Sequence, residues 1–255
     1  MGIDIYGKTI QGKRSKQEDD LYYQAKDGNG LAVVCDGMGG LDEGDWASYI
    51  AVKLLKKHFN RIEDWDDIPK FLDDEMHHLD DVICKLVDDK NEQIVCGTTI
   101  VSAIVHQNKF YWSSVGDSRV YLYTNKNRKL TCLTRAHNYY LQLEEELKKN
   151  RITKEEFAEL TASKTQSDSL ISFLGIGNLE LCDVSKSAYE LLPGDVVILC
   201  SDGVFQTLSD DEIVAMLSQV NMPVRNIVNS MIEKIQLKDK KKQDNASLIM
   251  MRYGE

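Results

Sequence analysis

Two periods of apolar residues alternate along the chain. Short runs rich in Val, Ile and Tyr, most of them bounded by Gly, Asp or Asn, predict β-strands. They lie near Gly2–Ile10, Leu21–Ala25, Leu31–Cys35, Thr98–His106, Lys109–Val115, Arg119–Tyr123, Val196–Cys200 and Ala246–Tyr253. Gln107-Asn108, between two of these runs, predicts a tight hairpin turn. The other period is three to four residues. In Asp45–Phe59, Ala47, Ile50, Ala51, Leu54, Leu55 and Phe59 fall on one helical face. Ile68–Val87 repeats the pattern through Leu72, Met76, Leu79, Ile83 and Leu86, with Pro69 suited to a first turn. Ser209-x-x-Glu212 is a capping box ahead of Ile213–Val220, and Arg225–Leu237 carries another apolar stripe. These stripes read as core faces. A second capping box, Thr153-x-x-Glu156, lies in a polar stretch from about Asn138 to Gly177. That stretch predicts a helical insertion or flap outside the main core.

Strands come in adjacent runs rather than in strict alternation with helices. This predicts an α+β protein, with antiparallel sheets covered by helices. No repeat, low-complexity tract or linker divides the 255 residues, so one domain is expected over residues 1–255, with the flap at roughly 138–177.

A hydrophobic fraction of 42% is enough to build a sizeable core. Asp and Glu number 41 against 31 Lys and Arg, a net charge of −10. That balance argues against nucleic acid and anionic membrane as partners. No signal peptide is visible, and no run approaches the ~18–20 apolar residues of a membrane span. Tyr6 stands where a myristoylated Gly2 would call for Ser or Thr. The six cysteines form no C-x-x-C pair, and several lie in apolar runs, as small buried hydrophobes do. A cytoplasmic protein is expected. His77-His78 resembles a metal clue, but neighbours on a helix point about 100° apart, which fits a solvated face better.

The chemistry concentrates in four acids at strand ends or tight turns. Asp36 opens Asp36-Gly37-Met38-Gly39-Gly40, and Asp117 sits in Val115-Gly116-Asp117-Ser118. Asp202 sits in Cys200-Ser201-Asp202-Gly203, and Asp244 in Gln243-Asp244-Asn245. Any one Asp-Gly is ordinarily a turn. A carboxylate leaving a buried strand, however, is costly unless it is paired or metal-bound. Glycine beside it lets a backbone carbonyl approach as an oxygen ligand, and all-oxygen sites suit Mg²⁺ and Mn²⁺.

Arg14-x-x-x-Glu18-Asp19, the Asp36 segment with Gly44 and Ala47-Ser48, and Gly97-Thr98-Thr99 come first in the chain. Gly116-Asp117-Ser118-Arg119, Leu133-Thr134 with His137, Leu174-Gly175, Ser201-Asp202-Gly203 and Asp244-Asn245 follow. In this order the chain resembles the metal-dependent Ser/Thr protein phosphatases of type 2C, the PPM family, in compact bacterial form. The resemblance implies a four-layer αββα sandwich with a flap, and hydrolysis of phosphoserine and phosphothreonine in proteins by a dimetal-activated water. It implies that Asp36 bridges two Mg²⁺ or Mn²⁺ ions and that the Gly37 carbonyl ligates one. Asp202 and Asp244 would complete one ion's shell and Glu18 would serve the other. Asp117 would belong to a third, weaker position, with Asp19 in support. Arg14 would clamp the phosphate with its planar fork. The implied partners are phosphorylated proteins and an opposing Ser/Thr kinase, in a monomer acting in signalling.

The chain departs from the family pattern at several places. Gln17 replaces an Asn, Leu41 and Met38 stand where relatives carry a histidine, and Ala136 replaces an acid. Ser172 or a neighbour replaces an Arg before Leu174-Gly175. His137 is a candidate leaving-group acid by chemistry alone. The alternative class is a weakly active or regulatory module that binds phosphoproteins; the complete set Asp36, Asp202 and Asp244 speaks against it. Gly175-x-Gly177 raises nucleotide binding, but Glu180 stands where the third glycine belongs. No G-x-S-x-G elbow of a serine hydrolase occurs.

Overall fold

The computed structural model describes residues 2–39, 43–218 and 222–254. Gly40 and Leu41, and the expected helix end at Val220, lie outside them. The chain opens with strands β1 (Ile3–Ile10), β2 (Asp19–Lys26) and β3 (Asn29–Gly39), then helices α1 (Gly44–Phe59) and α2 (Ile68–Ile83). Strands β4 (Cys96–Thr98), β5 (Ile100–His106), β6 (Lys109–Val115), β7 (Arg119–Thr124) and β8 (Lys129–Cys132) follow. Next come α3 (Tyr139–Lys148), α4 (Lys154–Leu160) and α5 (Lys164–Ser167), within the stretch expected to be a helical insertion. The chain ends with β9 (Asp183–Val184), β10 (Tyr189–Glu190), β11 (Val196–Cys200), α6 (Asp202–Phe205), α7 (Asp210–Leu217), α8 (Val224–Leu237) and β12 (Ala246–Tyr253).

Two antiparallel sheets result. One runs β1-β12-β11-β7-β8; the other runs β10-β6-β5-β3-β2, with β4 on β3 and β9 on β6. Ala32, Val34, Val101, Val120, Leu199 and Ile249 share the buried layer between the sheets. The alternate face of β3, with Leu31, Val33 and Cys35, packs under the stripes of α1 and α2. The outer face of the other sheet, with Tyr121, Ile198 and Met250, packs under α7 and α8. This is the expected αββα sandwich. Side chains alternate in direction along a strand, so one strand serves two layers.

Several local expectations need correction. Helix α2 stops at Ile83 rather than Val87. Asp88 Oδ1 accepts from Lys90 N and Glu92 N, both at 2.8 Å, and this turn draws Val87 into a bridge with Gln93. The run Thr98–His106 is broken at Thr99, which turns toward Asp36. The short pieces β8, β9, β10 and α6 carry no periodic signal. All six cysteines are free, and His77 and His78 are exposed.

Candidate active site

Arg14, Glu18, Asp36, Gly37, Asp117, Asp202 and Asp244 line one cavity of about 300 Å³ at one end of the sandwich, with Leu170 of the insertion at its edge. Asp36 leaves the buried run of β3 and lies in register with Asp19 of β2. Thr99 holds it from the other side. The Thr99 N–H donates to Asp36 O at 2.9 Å, and the Asp36 N–H donates to Thr99 Oγ1 at 3.1 Å. Ser118 beside Asp117 continues this network, 2.8 Å from Thr99 Oγ1.

Gly37 is required by close approach rather than by a special backbone angle. A Cβ there would lie 2.2 Å from Gly44 O and 2.6 Å from Glu18 O. The Gly37 N–H donates to Glu18 O at 3.1 Å, and Ser48 Oγ donates to the same carbonyl at 2.6 Å. Glu18 is thus pinned between β3 and the start of α1. Its own N–H donates to Asn245 Oδ1 at 2.8 Å, and Asn245 Nδ2 holds the carbonyls of Gln11 and Lys16. Asp202 follows the apolar run of β11, as the sequence suggests, and opens α6. A Cβ at Gly203 would lie 2.0 Å from Asn245 O, so glycine lets α6 seat against β12.

Burial pushes the Asp36 carboxyl well above the usual range, and Asp19, Asp202, Asp117 and Asp244 add to it. Burial lifts Asp202 to about 7, with Asp117, Asp244 and Asp19 adding and Arg14 opposing. Asp19 rises to about 6 through burial, although Ser201 and Ser247 bond it. Asp117 is raised by burial. Buried acids that raise one another need a cation to ionise together.

The donor set fits a divalent metal. Oδ1 of Asp19 and Oδ1 of Asp202 are buried without a hydrogen-bond partner, a costly arrangement for oxygen atoms that a metal would relieve. The acids and the Gly37 carbonyl in the lining offer oxygen ligands, the preference of Mg²⁺ and Mn²⁺. Among the described residues, no three His, Cys, Asp or Glu side chains form a closed chelating cluster. Mg²⁺ needs no such cage: it keeps several waters and binds through one or two carboxylates. Arg14 stands exposed at the rim, where Nη2 donates to Asp244 Oδ2 at 2.5 Å. That bond, the largest influence on Arg14, stabilises its charged form and raises its pKa.

His137 is not positioned as an acid. It is fully buried, accepts from the Gly116 N–H through Nδ1 at 3.2 Å, and meets Asp183 Oδ2 through Nε2 at 3.1 Å. Burial pushes Asp183 up, but His137 and Arg135 outweigh it and hold the carboxyl well below its usual range. The unit His137-Asp183-Arg135 therefore positions the Gly116-Asp117 turn, with Gly116 at φ +99°. Ser172 is also buried and donates to Leu181 O at 2.7 Å, away from any role in binding a substrate.

Two residues that sequence reasoning missed support the site. Asp183 carries no motif. Asp80 is buried on α2 and accepts from the N–H groups of Gly175, Gly177 and Leu179 at 2.8, 3.1 and 3.1 Å. Gly175 and Gly177 have positive φ, so the segment considered for nucleotide phosphate instead encloses an internal carboxylate. The glycines were the available signal, and the anion they bind is the chain's own.

Fold and site together define an αββα sandwich built around an acidic cleft. Residues 3–159 match the Protein phosphatase 2C family, and residues 158–254 match the Stage II sporulation protein E (SpoIIE) family. The chain is 30% identical over 224 residues to the serine/threonine phosphatase stp of Listeria monocytogenes serotype 4b, covering 82% of this chain and 81% of that protein. The S. agalactiae serine/threonine phosphatase structure superposes with a TM-score of 0.80 at 22% identity, covering 99% and 100% of the two chains. The catalytic domain of the serine/threonine phosphatase PstP, solved with two manganese ions, superposes with a TM-score of 0.76 at 25% identity over 98% of each chain. The chain belongs to the protein phosphatase 2C family.

Proposed function

We propose that the protein is a metal-dependent protein serine/threonine phosphatase that uses two Mg²⁺ or Mn²⁺ ions, with a third position beside Asp117. The observation that carries the reading is the convergence of Arg14, Glu18, Asp36, Gly37, Asp117, Asp202 and Asp244 on one cavity. Asp36 would hold both principal ions, the Gly37 carbonyl, Asp202 and Asp244 would hold one, and Glu18 the other. When bound, such ions supply an activated water for in-line attack on phosphorus and neutralise the phosphate charge. Arg14 at the rim presents a planar fork to the phosphate oxygens; its bond to Asp244 holds the guanidinium facing the cleft. Asp19, fixed by Ser201 Oγ at 2.7 Å, steadies Asp36 from the neighbouring strand. The three-helix insertion, residues 138–177, is a flap that shapes substrate access within a single domain of residues 1–255.

The substrates are phosphorylated proteins, and the physiological opponent is a Ser/Thr kinase in a cytoplasmic signalling pair. The enzyme acts as a monomer, without nucleic acid or membrane. No helix among the described residues is long and apolar enough to cross a membrane, which is compatible with that setting. The test is a phosphothreonine-peptide assay with Mn²⁺, with EDTA, and with Asp36→Asn and Asp202→Asn. Loss of turnover under each of the last three conditions is expected. Activity that survives EDTA and both substitutions would refute the two-metal reading.

A further inference from the structure

Trp46 and Tyr49 lie nearly one turn apart on α1 and are 57% and 49% exposed. They line a cavity of about 460 Å³ together with Gln17, Asp19, Asp20 and Asp45. Singly exposed apolar residues are ordinary. Two aromatic rings that share a cavity with the carboxylates of Asp20 and Asp45 form a combined surface. Asp45 is exposed in the first turn of α1, and Asp20 is half-buried on β2. Asp19 ties this cavity to the catalytic cleft, because its cross-strand partner is Asp36.

The complementary guest for aromatic faces above carboxylates is a cation. The ring face carries the negative end of the quadrupole, and a carboxylate accepts charge-assisted hydrogen bonds. The chain itself displays this attraction: Lys53 Nζ lies 5.2 Å from the Tyr49 ring centroid and 3.3 Å from its hydroxyl. Trp46, the indole and so the stronger ring of the two, has no cation partner among the described residues. A neutral or acidic guest would leave the Asp20 and Asp45 carboxylates uncompensated.

We propose that this cavity receives a basic side chain, arginine or lysine, from the phosphoprotein substrate, and so selects phosphorylation sites with a basic residue on one flank. The proposal rests on the phosphatase reading and deepens it. The cavity adjoins the acids without belonging to them, so its contribution falls on substrate affinity rather than on the chemical step.

The test uses matched phosphothreonine peptides in which Arg, Lys, Ala or Glu is stepped along each flank, with the Mn²⁺-loaded protein. At one register the Arg and Lys peptides should exceed the Ala peptide in kcat/KM by about tenfold, mostly through KM, with Glu below Ala. Trp46→Ala and Asp45→Asn should each move the Arg-to-Ala ratio toward unity, while Trp46→Phe keeps most of it. These positions are on the surface, so the variants keep their core. Brisk hydrolysis with a flat ratio at every register, or a ratio unmoved in both variants, overturns the proposal alone. Failure to hydrolyse any peptide with Mn²⁺ overturns the phosphatase reading and the proposal with it.

Discussion

Asp80 gives the most quantitative test of how the fold supports the site. Its carboxylate is 1% exposed and is the acceptor for three backbone N–H groups, two on Oδ1 and one on Oδ2. Asp80→Ala leaves those donors facing a small cavity. Each buried donor stranded in this way costs about 1–3 kcal/mol, so losing the acceptor for all three should cost the variant about 3–9 kcal/mol. Asp80→Asn keeps the shape but offers one oxygen and turns an NH₂ group toward a donor, so it should lose about half as much. Urea denaturation at neutral pH measures both, and the midpoint should fall with an unchanged slope. The damage should reach the metal centre. Leu174, next to the bonded Gly175, exchanges hydrogen bonds of 3.0 and 2.9 Å with Thr98, and Thr99 holds Asp36. The Mn²⁺ concentration for half-maximal activity should therefore rise in the order wild type, Asn, Ala. An Asp80→Ala loss below about 1 kcal/mol would show that the 174–179 segment holds its shape without the carboxylate, and would refute the reasoning.

Three further outcomes are expected. With EDTA present, stability should fall as pH rises from 5.5 to 7.5. Folded Asp202 and Asp19 titrate near 7 and 6, above the ordinary carboxylate value, so the folded state holds more protons in that window and loses that advantage as they dissociate. Urea melts at the two pH values check the sign, and Mn²⁺ should flatten or reverse the trend. His137→Asn, whose side-chain oxygen can replace Nδ1 as acceptor for Gly116, should stay folded and keep both limbs of the pH–rate profile; loss of one limb would restore the histidine as an acid. Gly37→Ala forces a methyl to 2.2 Å from a backbone carbonyl, so it should abolish Mn²⁺-dependent stabilisation in thermal melts even where the chain still folds.

The parts of the molecule legible in the sequence are those with local causes. The stripe of α8 and the capping boxes at Thr153 and Ser209 place helices within a residue or two, because each signal lies inside the element it predicts. Asp36, Asp117 and Asp202 stand out because an acid beside glycine breaks an apolar pattern. What stayed hidden is non-local. Asp80 reads as one more acid on a polar helix face, since its three donors come from almost a hundred residues downstream. Thr99 stands out in the sequence only as part of Gly97-Thr98-Thr99, and its hold on Asp36 shows only once β3 is placed beside it. His137 shows the opposite failure: its chemistry attracted a catalytic role, and its burial against Gly116 and Asp183 removes it.

The pairing of β1 with β12, from Ile3 opposite Tyr253 to Ile10 opposite Ala246, has a consequence for the protein as it is made. The ribosome releases Glu18 and Asp36 early, but Asp244 only 208 residues after Asp36, with Asn245 next. At about 5–20 residues per second, Asp244 trails Asp36 by on the order of ten to forty seconds. Until then the loop holding Arg14 and Glu18 lacks Asn245, which fastens it, and β1 lacks β12, its one neighbour in that sheet among the described residues. A nascent chain therefore carries most of the acids but no finished centre. Turnover waits for β12, and the emergence of that strand acts as the enzyme's first switch.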